Sequence, residues 1–361
     1  MGPGRPVVLQ SFRTPRPTSN PYLAALLESL PAGGERGVDV RTFSWRTALL
    51  GRYDVLHVHW PELLLRSHRR GGRAARAAAT GLLLARLALR RTPLVRTVHN
   101  PSPHEDGGRL ERFLLARLDA ATTVTVHLSA RTVGTVCPGS TAVVVPHGHY
   151  RGQYAGHEHR APVPGRLVHP GLLRPYKQVE ALLAAFTALP GEHSLHVLGA
   201  APDAALAGRV RAAAAGDDRV RADLHHVGDA ELVRAVTAAE LVVLPYAPRG
   251  GSGAQLLALS LDRPVLLPAG PAAAELAAEV GPGWVHTFTG PLSPAHLQAA
   301  LAAVRADART GTRADHPDLS ARGWDVVGRA HADVYHRAVG RAAGDHRAHH
   351  ARPVGAGVGG A

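Results

Sequence analysis

Of the 41 basic residues in the chain only one is a lysine, Lys177, in the stretch Gly171-Leu172-Leu173-Arg174-Pro175-Tyr176-Lys177. Where arginine serves every generic positive charge, a retained ammonium suggests a site that needs a compact, rotatable point charge. Phosphate oxygens in a confined pocket are the commonest such target. Gly171 follows a β-rich run, and Arg174 and Lys177 lie just before a helical pattern. A loop entering a helix with two cations suits a diphosphate, because the helix N-terminus adds its own partial positive charge. A second turn of this kind follows Leu241-Val242-Val243-Leu244-Pro245-Tyr246, where Gly250, Gly251, Ser252 and Gly253 precede another helix. Its unpaired N–H groups would face an anion that glycine allows to come close. The candidate diphosphate ligands are therefore Arg174, Lys177, Gly251, Ser252 and Gly253.

A different set of side chains occupies the first half. His59-Trp60-Pro61-Glu62 and His99-Asn100-Pro101 each come directly after a β-rich run. Imidazole can bond a hydroxyl or take its proton near neutral pH, and the Glu62 carboxylate can do the same. The candidate catalytic residues are His99, His59 and Glu62, with Trp60 and Asn100 beside them as substrate contacts. A lone imidazole says little in a chain with 23 histidines, and His57 is expected to pack inside the sheet. No Asp-x-Asp pair is present, so the usual carboxylate arrangement for a divalent cation on a diphosphate is missing. No metal or other cofactor is expected. Cys137 is the single cysteine, which excludes a disulfide framework.

Short β-rich runs alternate with Ala/Leu/Arg-rich helical patterns almost throughout, which predicts an α/β fold with parallel sheets. Strands are expected at 7–9, 38–43, 55–58, 94–98, 122–126 and 142–145, with helices at 22–30 and 110–118. The Pro/Gly/His-rich stretch 147–165 reads as a linker. Beyond it, strands are expected at 167–169, 194–198, 224–227, 241–244 and 264–267, and helices at 179–189, 203–215, 231–239 and 253–260. The expected architecture is two Rossmann-like doubly wound domains facing a central cleft. Residues 1–160 form the first domain and 161–340 the second, the last helix being free to pack back on the first. Residues 341–361 are expected to be a disordered tail. Strand ends at such switch points are where ligands bind.

The formal net charge of +13 would permit binding to nucleic acid or an anionic membrane. The charge is spread along the chain, however, and aromatics that would stack on bases make up only 4 % of it, which argues against nucleic acid. The start lacks a secretion pattern and no apolar run reaches the ~18 residues of a bilayer span. The expected location is cytoplasmic, with peripheral membrane contact open. Arg66, Arg69, Arg70, Arg73 and Arg76 would share one helical face that suits anionic headgroups, although Gly71-Gly72 interrupts it.

In order and spacing, these features resemble the GT-B glycosyltransferases, especially the retaining family 4 enzymes that use nucleotide sugars. The resemblance runs from Val7 to Tyr335. It passes through Asp54-Val55-Leu56-His57-Val58-His59, Thr97-Val98-His99, Val145-Pro146-His147-Gly148 and the Gly171–Lys177 stretch. It continues with Leu198-Gly199, His226-Val227-Gly228, Leu244-Pro245-Tyr246 and Asp262-Arg263-Pro264-Val265. It implies that Arg174 and Lys177 neutralise the donor diphosphate, that Gly171, Gly199, Val227 and Gly228 line the nucleotide, and that His99 faces the reacting sugar. The implied activity is metal-independent sugar transfer from a UDP- or GDP-sugar to a glycan or lipid-linked glycan. One departure matters. The two glutamates that the family places before the Arg-Pro-Val turn fall here on Arg249 and Leu257, or on Gly250 and Ala258. The resemblance implies retention of configuration; without those carboxylates inversion stays open, with Glu62, His59 or His99 as base. A catalytically inactive GT-B-like nucleotide-binding scaffold is the alternative.

Overall fold

A computed structural model describes residues 4–16, 20–67, 71–99, 108–246 and 253–350. The chain divides into two compact units, one of Met1–Gly148 with Arg322–Ala361 and one of His149–Ala321. The first unit runs through β1 (Val7–Gln10), α1 (Pro21–Ser29), β2 (Asp39–Arg41), α2 (Trp45–Leu50), β3 (Val55–Val58), α3 (Glu62–Leu65) and α4 (Gly72–Arg90). It continues with β4 (Leu94–Val98), α5 (Arg109–Ala121), β5 (Thr122–His127) and β6 (Thr141–Val144). These six strands form one parallel sheet in the order β2-β1-β3-β4-β5-β6. Every residue of β3 and β4 is buried, which explains why these runs read as continuous rather than alternating apolar segments. Helix α1 begins where the sequence says it should: the Asn20 side chain accepts from the Tyr22 N–H and Pro21 takes the first helical position.

The second unit contains α6 (Arg151–Tyr154), β7 (Arg166–Pro170), α7 (Val179–Thr187), β8 (Ser194–Leu198), α8 (Ala204–Ala215), β9 (Val220–Asp223) and α9 (Asp229–Thr237). Then come β10 (Leu241–Val243), α10 (Gly253–Ser260), β11 (Val265–Pro268), α11 (Pro271–Val280), β12 (Val285–Phe288) and α12 (Pro294–Thr310). Its parallel sheet has the order β12-β11-β10-β7-β8-β9. A core of Leu, Val and Ala side chains around Phe186 fills one side and another around Leu244, Leu259 and Trp284 the other. The chain then returns as α13 (Trp324–His350) to the first unit, where it packs against α1. Gly328 permits that approach, since a Cβ there would run into the Ser29 carbonyl oxygen.

Several expectations need correction. The stretch 147–165 is not a free linker, because α6 is part of the second unit. The Tyr150 N–H donates to Ser260 Oγ at 2.9 Å, Arg151 pairs with Asp262 at 3.1 Å, and Tyr154 is buried in the core. The division of the chain therefore falls at Gly148/His149 and not at residue 160. The strand expected at 224–227 lies at Val220–Asp223, the loop to α9 having absorbed the apolar residues. Helix α13 continues past residue 340 into the stretch expected to be disordered, since extending an existing helix avoids the cost of nucleation. Residues 351–361 lie outside the described residues.

The Arg66–Arg76 face does not form as one helix. Gly71, at φ 69°, breaks the chain between α3 and α4. Arg66 is spent on Glu111 at 2.9 Å, and Arg76 donates to the carbonyls of Leu63 and Arg66. Arg69 and Arg70 lie outside the described residues.

Candidate active site

In each doubly wound sheet the strand order reverses beside one strand, and the carboxyl ends there are open to a ligand. In the second unit the reversal lies between β7 and β10. The loop after β7 carries Gly171, Arg174 and Lys177; the segment after β10 carries Tyr246. Lys177 ends a single 3-10 turn opened by Pro175, and it is 9 % exposed. Its ammonium sits 3.4 Å from where a side chain on Gly171 would begin, and 5.6 Å from the centre of the Tyr246 ring. Gly171 and Gly199, at φ 102° and 137°, are in close contact: a Cβ on Gly199 would run into the Gly171 carbonyl.

Among the described residues nothing accepts a hydrogen bond from Lys177 Nζ and no carboxylate pairs with it. Burial, with Arg174 adding repulsion, lowers its pKa to about 8. Holding a cation in such a place costs free energy unless an anion arrives. His169, beneath it on β7, donates from Nδ1 to the Val243 carbonyl at 2.8 Å, and its Nε2 is a buried acceptor without a partner among the described residues. Burial lowers this imidazole to about 4. Arg174 is exposed, as the residue capping the 3-10 turn. Gly253 starts α10 beside the Tyr150 hydroxyl, while Gly251 and Ser252 lie outside the described residues. Gly228 caps α9 and Val227 is half-buried against the core around Leu244. The structure thus brings Gly171, Gly199 and Lys177 together, with Arg174 close enough to act on the ammonium. It places Val227 and Gly228 on a separate loop.

In the first unit the reversal lies between β1 and β3. Gln10 ends β1, His59 follows β3 and His99 follows β4. His59 is buried, with Nδ1 3.1 Å from His99 Nε2 and Nε2 3.1 Å from Gln10 Oε1. Both of its nitrogens are engaged within the protein, so neither is turned to a substrate in this arrangement. His99 is only half-buried and is the end of the arrangement nearest solvent. Burial first, and then the neighbouring His147 and His331, pulls its pKa down to about 3.

Trp60 stacks on the His99 ring at 4.0 Å and 15°, and the Tyr22 ring meets it edge-on at 5.1 Å. One face of Trp60 therefore holds His99 and is closed to a sugar. Glu62 opens α3, half-buried, with no ion pair among the described residues. Asn100 lies outside the described residues. His57 is a core histidine as expected, both nitrogens being bonded, to Tyr335 and to Thr97, each at 2.8 Å. Gln10, Tyr335, His147 and His331 were not singled out as site residues by sequence. Two of them belong to a helix more than 300 residues downstream of β1, and no local pattern announces that return.

No protein-family model matches the chain. A GDP-mannose:glycolipid 4-beta-D-mannosyltransferase of Xanthomonas campestris pv. campestris is 44 % identical over 338 residues, covering 93 % of this chain and 94 % of that protein. The chain belongs to this glycosyltransferase family. Solved structures share its GT-B fold at low identity. HepE of Anabaena in complex with UDP-glucose is 13 % identical, with a TM-score of 0.57 over 94 % of this chain and all of that one. An alpha,alpha-trehalose-phosphate synthase of Burkholderia vietnamiensis is 12 % identical, with a TM-score of 0.60 over 93 % of this chain and 99 % of that one. The protein is a nucleotide-sugar-dependent glycosyltransferase, and nothing favours the inactive-scaffold alternative. Among the described residues no group of three His, Cys, Asp or Glu side chains is arranged to hold a metal, and no helix is long and apolar enough to cross a membrane.

Proposed function

We propose that this glycosyltransferase moves mannose from GDP-mannose to a lipid-linked glycan, forming a β bond with inversion at the anomeric carbon. The observation that carries the reading is the 44 % identity to a GDP-mannose:glycolipid mannosyltransferase across nearly all of both chains. GDP-mannose presents its sugar in the α configuration. A β product of the kind that relative's name states then follows from one in-line displacement. That displacement needs a base for the incoming hydroxyl and stabilisation for the departing GDP.

The second unit supplies the stabilisation. Lys177 and Arg174 meet the diphosphate without a metal ion, since a buried ammonium with no carboxylate partner among the described residues is half of an ion pair awaiting its anion. Gly171 and Gly199 leave room for backbone approach, Val227 and Gly228 border the nucleoside, and Gly251, Ser252 and Gly253 complete the anion cradle. The first unit supplies the base. His99 takes the hydroxyl proton, with Glu62 as the competing candidate, and Trp60 keeps the His99 ring in place. Because the acceptor is a lipid, the enzyme works at the cytoplasmic membrane face. Exposed Leu63, Leu82, Leu89, Leu110 and Phe113 on α3, α4 and α5 support contact with it.

The test is a donor panel with a polyprenyl-diphosphate oligosaccharide acceptor in chelator. Release of GDP from GDP-mannose, and a β-mannosyl product by the anomeric one-bond C–H coupling, is expected. An α product, UDP release from a UDP-sugar, or activity abolished by chelator would overturn the corresponding part.

A further inference from the structure

Six side chains of the first unit, from β1, β3, β4 and α13 or the residue just beyond, form one continuous hydrogen-bonded file. From the half-buried end, His99 Nε2 lies 3.1 Å from His59 Nδ1, and His59 Nε2 lies 3.1 Å from Gln10 Oε1. Gln10 Nε2 donates to the Tyr335 hydroxyl at 3.1 Å, and that hydroxyl lies 2.8 Å from His57 Nδ1. His57 Nε2 ends the file 2.8 Å from Thr97 Oγ1. All the members beyond His99 are buried.

With the Gln10 amide oriented as it is here, Nε2 toward Tyr335, the direction of the file follows. Gln10 Oε1 only accepts, so His59 carries its proton on Nε2 and its Nδ1 is an acceptor. His99 must then donate from Nε2, which leaves Nδ1 with its lone pair. At the other end Gln10 donates to the Tyr335 oxygen, Tyr335 donates to His57 Nδ1, and His57 donates from Nε2 to Thr97. Every link has one donor and one acceptor. A core needs no such chain: apolar side chains would fill the space without desolvating three polar groups and two more imidazoles.

We propose that Gln10 and Tyr335 are positioning residues for glycosyl transfer, fixing His99 through His59 in the tautomer whose Nδ1 accepts the proton of the acceptor hydroxyl. The inference rests on the reading of His99 as the base. In the step, the hydroxyl O–H bond breaks as its oxygen bonds the anomeric carbon. The bond from that carbon to the diphosphate oxygen breaks with its electron pair leaving on GDP. The proton goes to His99 Nδ1, and the imidazolium charge is shared across Nε2–H to His59. It stops there, because the Gln10 carbonyl is a neutral acceptor, and the proton leaves to solvent from His99. Helix α13 thus takes part in the chemistry by bringing the Tyr335 hydroxyl that accepts from the Gln10 amide and donates to His57.

Two variants and one spectrum test this. Nitrogen-15 imidazole shifts of the wild-type protein should show His99 protonated on Nε2 and bare on Nδ1; a proton on Nδ1 would overturn the proposal without reference to activity. Tyr335→Phe frees Gln10 to turn over, so the spectrum should show mixed tautomers and kcat should fall about tenfold or more with the KM for GDP-mannose unchanged. Gln10→Glu puts an anion beside His59 and should move the acid limb of kcat upward by about one pH unit. The other titratable groups facing His99 are His59 and His57 on the β3 side, His147 with Arg322 beside it after β6, His331 and Tyr335 on α13, and Tyr22 on α1. They are the same in wild type and Gln10→Glu, so the shift isolates the introduced charge. Unchanged kcat in Tyr335→Phe, or a fall in kcat in Gln10→Glu with the pH profile unmoved, refutes a positioning role. The expected tautomer together with a retained-configuration product would instead sink the inverting reaction and leave the file standing.

Discussion

Acidification should unfold the first unit at a pH where carboxylates elsewhere are still ionised. Burial holds His99 at about 3 and both His147 and His331 at about 4, against 6.5 in the unfolded chain. A histidine with a depressed folded pKa leaves the unfolded state holding more protons, so stability falls as pH drops below about 6.5 and levels off only below the folded value. At about pH 5 the unfolded histidine has gained ~1.5 units of proton affinity that the folded one lacks, or about 2 kcal/mol for each group. The three together remove about 6 kcal/mol, against a total stability on the order of 5–15 kcal/mol. His57 and His59, also pulled well below 6.5 by burial, act in the same direction. The assay is thermal unfolding followed by tryptophan fluorescence, because Trp45, Trp60 and Trp324 belong to the first unit and only Trp284 to the second. The melting temperature should drop by about 10–20 °C between about pH 7.5 and pH 5. His331→Leu, which removes one buried imidazole, should flatten that dependence by about one proton. A fluorescence transition that stays put over this range would refute the claim that these rings are neutral in the folded protein.

Other outcomes follow from the second unit. Lys177→Met should weaken GDP-mannose about tenfold or more while raising the melting temperature of the ligand-free protein, since a buried charge without an anion is removed; about 2–3 kcal/mol of desolvation is at stake. A loss of stability in that variant, by calorimetry, would mean the ammonium already has a partner. Gly199→Ala puts a Cβ against the Gly171 carbonyl at a φ that other residues rarely adopt. It should cost about 2–4 kcal/mol in urea unfolding and lower donor affinity, and a neutral result would show that the two loops can part freely.

The fold was legible because strands buried on both faces write themselves as short, largely apolar runs, and β3 and β4 have the limits read from sequence, as does β8 with one face half-buried. Of the elements after β11 only the last helix was expected, and without limits. Val285–Phe288 is an edge strand with mixed burial, and α12 and α13 carry alanine and arginine where a stronger apolar stripe would have marked them. The proposed donor half of the site was legible in one residue type. Arginine everywhere else made Lys177 conspicuous, and its burial, with no carboxylate paired to it among the described residues, is what supports the diphosphate reading. The proposed acceptor half was legible only at its rim. His59 and His99 stand at strand ends, but on the proposed reading their roles depend on Tyr335, and no spacing rule links residue 10 to residue 335. On that reading His59, expected as a base, is a connector.

The missing glutamates and the histidine file bear on each other. Of the positions where the resemblance would place the second carboxylate, Leu257 and Ala258 are both buried on α10 in the core with Leu244 and Val265. A carboxylate at either place would lie in apolar surroundings, where burial disfavours its charged form. A ribose contact there is not part of the proposed reading. On the proposed reading, donor affinity then falls more heavily on the diphosphate, which is where a desolvated ammonium is strongest. Cations gripping the leaving group lower the barrier to its departure but do nothing for the incoming hydroxyl. An inverting transfer must find its base elsewhere, and a half-buried imidazole of low pKa is a weak one unless its lone pair is held where the proton leaves. Geometry has to supply what basicity lacks. The five hydrogen bonds behind His99 fix its tautomer at the cost of an acid-sensitive unit, so the variant that loosens the file, Tyr335→Phe, should lose turnover without gaining acid stability.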